Sequence, residues 1–180
     1  MRIGFDAKRL YNNFTGLGNY SRTLAGNLHH YFPEEEYYLY TPKIKQDVTT
    51  LPFNTPDFHT VCHKGLFKSL WRSFFIKQDL KRDRIDVFHG LSHEIPLGID
   101  RTNIRSVVTI HDIIFLTYPA MFTAIDRAIY NYKFRYACRH ADKVIAISEC
   151  TKRDIVKYFG IPEEKIEVIY QAIQPVFYQM

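Results

Sequence analysis

The sequence is poor in cysteine, and its three, Cys62, Cys138 and Cys150, show no C-x-x-C spacing. That excludes the common zinc frameworks and a disulfide-stapled secreted fold. It reads as free thiols in a reducing compartment, packed as small hydrophobes. No run approaches the roughly 18 apolar residues of a membrane span, and Asp6, Lys8 and Arg9 break any apolar leader at the start. There is no internal repeat and no low-complexity tract. Acid is in deficit: 19 Asp and Glu face 24 Lys and Arg, a net charge of +5. That excess predicts an anionic partner: a phosphorylated ligand, a membrane surface or nucleic acid. Aromatics are plentiful, 13 Tyr and 14 Phe in 180 residues that are 46% apolar. The chain is globular and long enough for one domain with a proper core.

Strand and helix patterns alternate throughout. Strands are read at Arg2–Ala7, Tyr37–Tyr40, Phe58–Cys62, Ile85–Gly90, the β-branched run from Val107, Lys143–Ile147 and Ile166–Tyr170. Helices are read at Asn19–Tyr31 and at Leu66–Arg82, the latter with an apolar stripe of Phe67, Leu70, Trp71, Phe74 and Phe75. A long helix after Pro119 is marked by Phe122, Ile125, Ile129, Tyr132 and Tyr136. A last helix is N-capped by Ser148, runs through Phe159 and is closed by Gly160 and Pro162. Lys8–Thr15, Lys43–Pro56 and His93–Arg105 read as loops, and the tail Gln174–Met180 as a domain boundary. The alternation predicts an α/β fold, a mostly parallel twisted sheet with helices on both faces. Its ligand crevice would lie outside the carboxyl ends of the strands.

Chemistry-bearing residues gather where those ends are expected. His111 and Asp112 follow the apolar strand from Val107, as a catalytic pair or as a core imidazole beside a turn-capping acid. His89 ends the preceding strand, with Ser92 and His93 just beyond. No carboxylate or thiol stands at ligand spacing, so no metal site is expected. Ser148 and Glu149 would place a helix N-terminus at the same crevice. Gly16 and Gly18, followed by Asn19 and Tyr20, open a helix whose backbone amides suit a diphosphate. The dinucleotide fingerprint does not fit. The pattern is Gly-x-Gly-x-x-Ser, far from the first strand, and the second strand ends in Thr41-Pro42 without a ribose-binding acid. Basic residues (Lys68, Arg72, Lys77, Lys81 and Arg84, then Arg127, Lys133, Arg135 and Arg139) mix with aromatics on two helices. They are either solvated faces or a surface for an anionic membrane. No nucleic-acid-binding motif accompanies them, so nucleic acid is not an expected partner.

One ordered set of motifs carries a family likeness. Asp6-Ala7-x-Arg9, Thr15-Gly16-Leu17-Gly18-Asn19-Tyr20, Asp86-Val87-Phe88-His89, Val108-Thr109-Ile110-His111-Asp112, Val144-Ile145-Ala146-Ile147-Ser148-Glu149 and Ile166-Glu167-Val168-Ile169-Tyr170 follow one another in that order. Together they resemble the N-terminal domain of retaining family 4 glycosyltransferases of the GT-B fold, the group that includes bacterial mannosyltransferases. The resemblance implies a single Rossmann-like, acceptor-side domain over residues 1–180. The nucleotide-sugar would be held mainly by a C-terminal domain with a paired-glutamate motif, expected to be absent from this chain, without which transfer would be negligible. It further implies hexosyl transfer with retention, as in polysaccharide biosynthesis, from a GDP- or UDP-sugar co-substrate to a glycan or lipid-linked acceptor. No separate cofactor or metal is implied, and the setting is cytoplasmic, or peripheral on the inner face of the plasma membrane.

Carried over by position, Gly16 and Gly18 match the glycine loop near the donor phosphates, where Asn19 replaces the family's common Arg. With Ser148 these are the candidate donor-phosphate residues. His111 matches the histidine that contacts the transferred sugar, with Asp112 beside it, and His89, Tyr20 and Glu149 are the candidate substrate contacts. Gln171-Ala172 stands where the family usually shows Asn-Gly. The leaving phosphate itself would take the acceptor proton. Two other classes stay open: a non-catalytic sugar- or nucleotide-binding module, and a nucleotide-dependent oxidoreductase.

Overall fold

The computed structural model describes residues 1–63, 65, 67 and 70–172. Among them the sheet has seven strands: β1 Arg2–Asp6, β2 Glu36–Thr41, β3 Phe58–Cys62, β4 Val87–Gly90, β5 Arg105–Ile110, β6 Lys143–Ala146 and β7 Ile166–Val168. Their order is β3-β2-β1-β4-β5-β6-β7, and every neighbouring pair is parallel. The helices are α1 Lys8–Asn12, α2 Gly16–Tyr31, α3 Ile76–Arg82, α4 Ile114–Thr117, α5 Ala124–His140 and α6 Glu149–Phe159. A π turn, Trp71–Phe75, leads into α3.

A parallel sheet covered on both sides needs apolar side chains on both, and alternation along each strand divides them here. Pairing of Phe5 with Leu39 and with His89 puts these on one face. With Tyr37 and Phe58 they pack under α1 and α2 through Leu10, Tyr11 and Ala25. Phe88, Val108, Ile110, Val144 and Ala146 take the other face and meet Leu80 of α3, Ala137 and Cys138 of α5, and Ile155 of α6. Thr109 belongs to the α2 face because it alternates with Val108 and Ile110.

Several local expectations are corrected. Lys8–Thr15 is not a loop: its first five residues form α1, where Leu10 and Tyr11 are buried. α2 starts at Gly16, not Asn19, so both glycines lie inside its first turn. The Lys43–Pro56 segment contains a 3-10 turn at Val48–Phe53 with a capping box made by Asp47 and Thr50. The His93–Arg105 segment has another at Ile99–Arg101. Of the stripe Phe67, Leu70, Trp71, Phe74 and Phe75, only Trp71 is buried. The π turn spends an extra residue, Ile76 N–H reaching back to Trp71 O, and the faces it presents no longer follow α-helical spacing. In α5 the expected stripe is mostly outward: Ile125, Ile129 and Tyr132 are exposed, whereas Phe134, Ala137 and Cys138 face the core. Of the three cysteines only Cys138 is buried, and Cys150 is exposed. The expected helix start around Leu66 and Lys68, and the tail from residue 173, fall outside the described residues. Ser148 and Gly160 cap α6 as expected, the glycine at φ 65°.

The π turn also carries Arg72 inward. Its Nε donates to Asp6 Oδ2 at 2.7 Å at the end of β1, and its Nη1 lies 3.2 Å from Glu94 Oε2, which Lys133 approaches at 3.3 Å. The Arg72 and Asp6 side chains are only 13% and 7% exposed. Removing the cation strands the Asp6 carboxylate and leaves Glu94 with Lys133 alone, so Arg72→Ala is expected to cost about 3–5 kcal/mol in urea unfolding at pH 7. A loss below about 1 kcal/mol would mean that the site is solvated like a surface ion pair.

Candidate active site at the carboxyl edge of the sheet

His111 directly follows β5 and is 6% exposed. Its Nε2 lies 3.0 Å from Leu91 O, a pure acceptor, so Nε2 carries the proton. Nδ1 therefore presents a lone pair, and the Gln171 side-chain amide donates to it at 2.9 Å. Burial lowers the His111 pKa from its ordinary value, partly offset by the Leu91 carbonyl and by Asp112. The ring is neutral at pH 7. A ligand donor can reach Nδ1 only by taking the place of the Gln171 amide.

A connected set of groups surrounds the ring. Tyr20 of α2 meets it edge-on at 4.7 Å between centroids, and His93 does the same at 5.2 Å. The Thr109 hydroxyl joins Tyr20 OH (2.9 Å) to His89 Nε2 (2.8 Å). Burial, reinforced by the neighbouring His111, pushes the His89 pKa down to about 3. His93 also lies well below its ordinary value, by burial first and then through His111 and Arg9. Its backbone is left-handed at φ 63°, its ring stacks on Phe134 at 4.3 Å, and its buried Nδ1 has no protein partner. The Thr151 hydroxyl donates to His111 O at 3.0 Å and so ties the start of α6 to this edge.

His89, Tyr20 and His111 are thus brought together, and the other candidates surround them without joining. Asp112 is exposed and accepts from Ile114 N at 3.3 Å, the turn-capping alternative. Ser148 is occupied as N-cap by Thr151 N (3.1 Å), and Glu149 is exposed in the first turn of α6. At α2 the Asn13 side-chain oxygen accepts from Thr15 N, Thr15 Oγ1 and Gly18 N, all within 3.0 Å. The Gly18 amide expected to meet phosphate is therefore engaged within the chain. Asn19 Oδ1 is held by Arg22 at 2.6 Å. Gly16 is exposed at the tip of the helix. Among the described residues no three His, Cys, Asp or Glu side chains gather as a metal site.

Sequence reasoning passed over Thr109 and Gln171. Thr109 had a signal, the one hydroxyl in the apolar run Val107–Ile110. Gln171 lies 60 residues from His111, and no local pattern announces such a contact.

A family model described as Glycosyltransferase Family 4 matches residues 15–176. The O-antigen chain mannosyltransferase RfbU of Salmonella typhimurium is 30% identical over 81 residues, which are 45% of this chain and 21% of that protein. A glycosyltransferase from Rickettsia africae aligns with 99% of this chain and 45% of its own, at a TM-score of 0.59 and 14% identity. HepE of Anabaena, solved in complex with UDP and glucose, aligns with 98% of this chain and 46% of its own, at 0.61 and 18%. The apo lipopolysaccharide outer core galactosyltransferase WaaB does so with 97% and 46%, at 0.56 and 15%. At such identities the likeness is one of fold: the Rossmann-like parallel sheet of a GT-B domain. This chain spans about half the length of these solved proteins.

Two outcomes follow from the geometry. A Cβ at Gly18 would collide with the Asn13 carbonyl oxygen, whereas one at Gly16 would meet nothing within 4 Å. Gly18→Ala is expected to lower stability by about 1–3 kcal/mol in urea unfolding and Gly16→Ala to leave it unchanged within about 0.5 kcal/mol; equal effects would refute the packing role of Gly18. Because the folded pKa of His89 is depressed, its contribution to stability is complete above the unfolded value near 6.5 and declines as pH falls towards about 3. By pH 5 that one imidazole accounts for about 2 kcal/mol of lost stability. His89→Gln should flatten the fall between pH 7 and pH 5, and an unchanged slope would show that His89 titrates normally.

Proposed function

This chain belongs to Glycosyltransferase Family 4, and from that premise we propose that it is the acceptor-side half of a two-domain glycosyltransferase that works with retention. The donor would be a GDP- or UDP-linked hexose, held mainly by a second domain, and the acceptor a glycan or a lipid-linked glycan in the cytoplasm or at the inner membrane face. Support for the half-enzyme reading comes from the length: about half of each solved glycosyltransferase it matches. For the donor class, support comes from HepE, a structural neighbour bound to UDP and glucose.

The observation that carries the reading is the presentation of His111. Its tautomer is fixed by Leu91 O, and its Nδ1 lone pair meets only an exposed amide, that of Gln171. A sugar hydroxyl taking that amide's place would donate to Nδ1 and become more electron-rich. That favours the positive charge that develops at the anomeric carbon as the leaving diphosphate departs. A neutral imidazole suits this role, because a cationic ring would oppose that charge. The first-turn amides of α2 around Gly16 sit one helical turn before Tyr20, whose ring meets His111. They are the phosphate-facing group this reading retains; Gly18 is assigned to packing.

Calorimetry with GDP-mannose and UDP-glucose tests the division of labour. The longer protein is expected to bind one of them tightly and this chain weakly; tight binding by this chain alone would overturn the acceptor-side assignment. In the longer protein, His111→Ala should lower kcat roughly 30- to 1000-fold, about 2–4 kcal/mol of transition-state stabilisation. An unchanged kcat removes His111 from the mechanism, and donor binding without any transfer assigns the chain to a sugar-sensing module.

A further inference from the structure

Two apolar faces that helical spacing assigns to the core lie on the surface side by side. Phe74 and Phe75 of the π turn are about half exposed, and on α5 Tyr132 is 63% and Ile125 73% exposed. Between the π turn and α5 runs a groove of about 440 Å3, walled by Phe74, Ile129, Tyr132 and Tyr136 over a floor of Ile95 and Leu97. Its size and lining are those of a ligand site, roughly 300–1,000 Å3 and mostly apolar.

The groove has two unlike ends. Toward the carboxyl edge it stops at Glu94 and Lys133, which neutralise each other, and Glu94 is held by Arg72 as well. Toward the amino edge it merges, through Phe74, Leu97, Tyr132 and Tyr136, with a hollow that carries Lys77, Lys81 and Arg101. This second hollow lies at the amino edge because Arg101 shortly precedes β5, and His140, also in its wall, precedes β6. Its one acid, Asp100, is engaged by His140 at 2.9 Å. Among the described residues no carboxylate pairs with Lys77, Lys81 or Arg101. The surface is thus an apolar channel with three cations at one mouth, none of them in an ion pair among the described residues, and tyrosines, apolar in body and polar at the tip, along its wall.

We propose that this groove holds the hydrocarbon chain of a bilayer phospholipid, with the lipid phosphate at Lys77, Lys81 and Arg101. The charge pattern selects an anionic amphiphile over an apolar protein segment, which would leave three cations idle. The cationic mouth faces the sheet edge opposite His111, so the bound lipid is a docking lipid and not the sugar acceptor. The site holds on the bilayer whatever the chemistry at His111 is.

The test is co-sedimentation of the chain with vesicles of phosphatidylglycerol and phosphatidylcholine, and with phosphatidylcholine alone. Ala128 lines the groove and is exposed, so Ala128→Trp fills it from the surface without entering the core. Binding to the anionic vesicles is expected to weaken at least about tenfold in Ala128→Trp and in the double variant Lys77→Glu, Lys81→Glu, with circular dichroism unchanged. Millimolar inorganic phosphate should not release the protein, because the chain supplies part of the affinity. Parent-like binding by Ala128→Trp would reduce the surface to plain electrostatic adhesion, and an absence of vesicle binding would also overturn the site. Self-association that Ala128→Trp abolishes, with no vesicle binding by the parent, would assign the groove to a second copy of the chain. None of these readouts involves sugar transfer, so failure here and failure of the transferase reading are separate results.

Discussion

The Arg72 guanidinium must satisfy Asp6 and Glu94 at once, and much of the carboxyl edge is arranged around that demand. Two carboxylates with little access to water need a cation that can reach both. The cation that reaches both, Arg72, stands on the π turn that carries Trp71 into the core. Trp71 enters with it and donates its indole N–H to Asp79 at 2.7 Å. Phe74 and Phe75 are left outside. The ion network at the crevice floor and the greasy outer groove are therefore two sides of one turn.

The same edge explains the state of the histidines. Backbone hydrogen bonds are satisfied within the sheet, so polar side chains can emerge only where strands end, and there they must find one another. Thr109 settles two of them, Tyr20 and His89, with one hydroxyl, while a main-chain carbonyl and an amide from sixty residues away settle His111. Burial keeps the imidazoles uncharged, and Arg9 opposes protonation of His93 and His111 further. The edge thus presents polar groups that are oriented and carry no charge of their own.

How much of this was legible in the sequence depended on the range of the cause. The strands were readable because β-branched runs bounded by turns are local signals, and Ser148 and Gly160 announced both ends of α6. The α5 helix was found, but its inward face was not legible, because Tyr and Ile at helical spacing look like core whichever side they occupy. The His111 position was visible at the end of its strand. Its partners were not, since Leu91 O is a backbone group and Gln171 is brought near only by the sheet's topology. Gly18 was noticed for the right physical reason, close approach of a backbone, but the approaching group is Asn13 of its own chain.

The strand order has a bearing on how the molecule comes into being. Strands β1, β2 and β3 grow outward in one direction, and then the chain returns to the other side of β1 and grows outward again through β7. During synthesis from the N-terminus, β1 stays an open edge until β4, some eighty residues later, has left the ribosome. The His89 that ends β4 arrives with the strand that seals this edge. The half-made sheet thus exposes hydrogen-bonding backbone until that long-range closure, and the rest of the candidate pocket, His111 after β5 and Gln171 beyond β7, is added only afterwards.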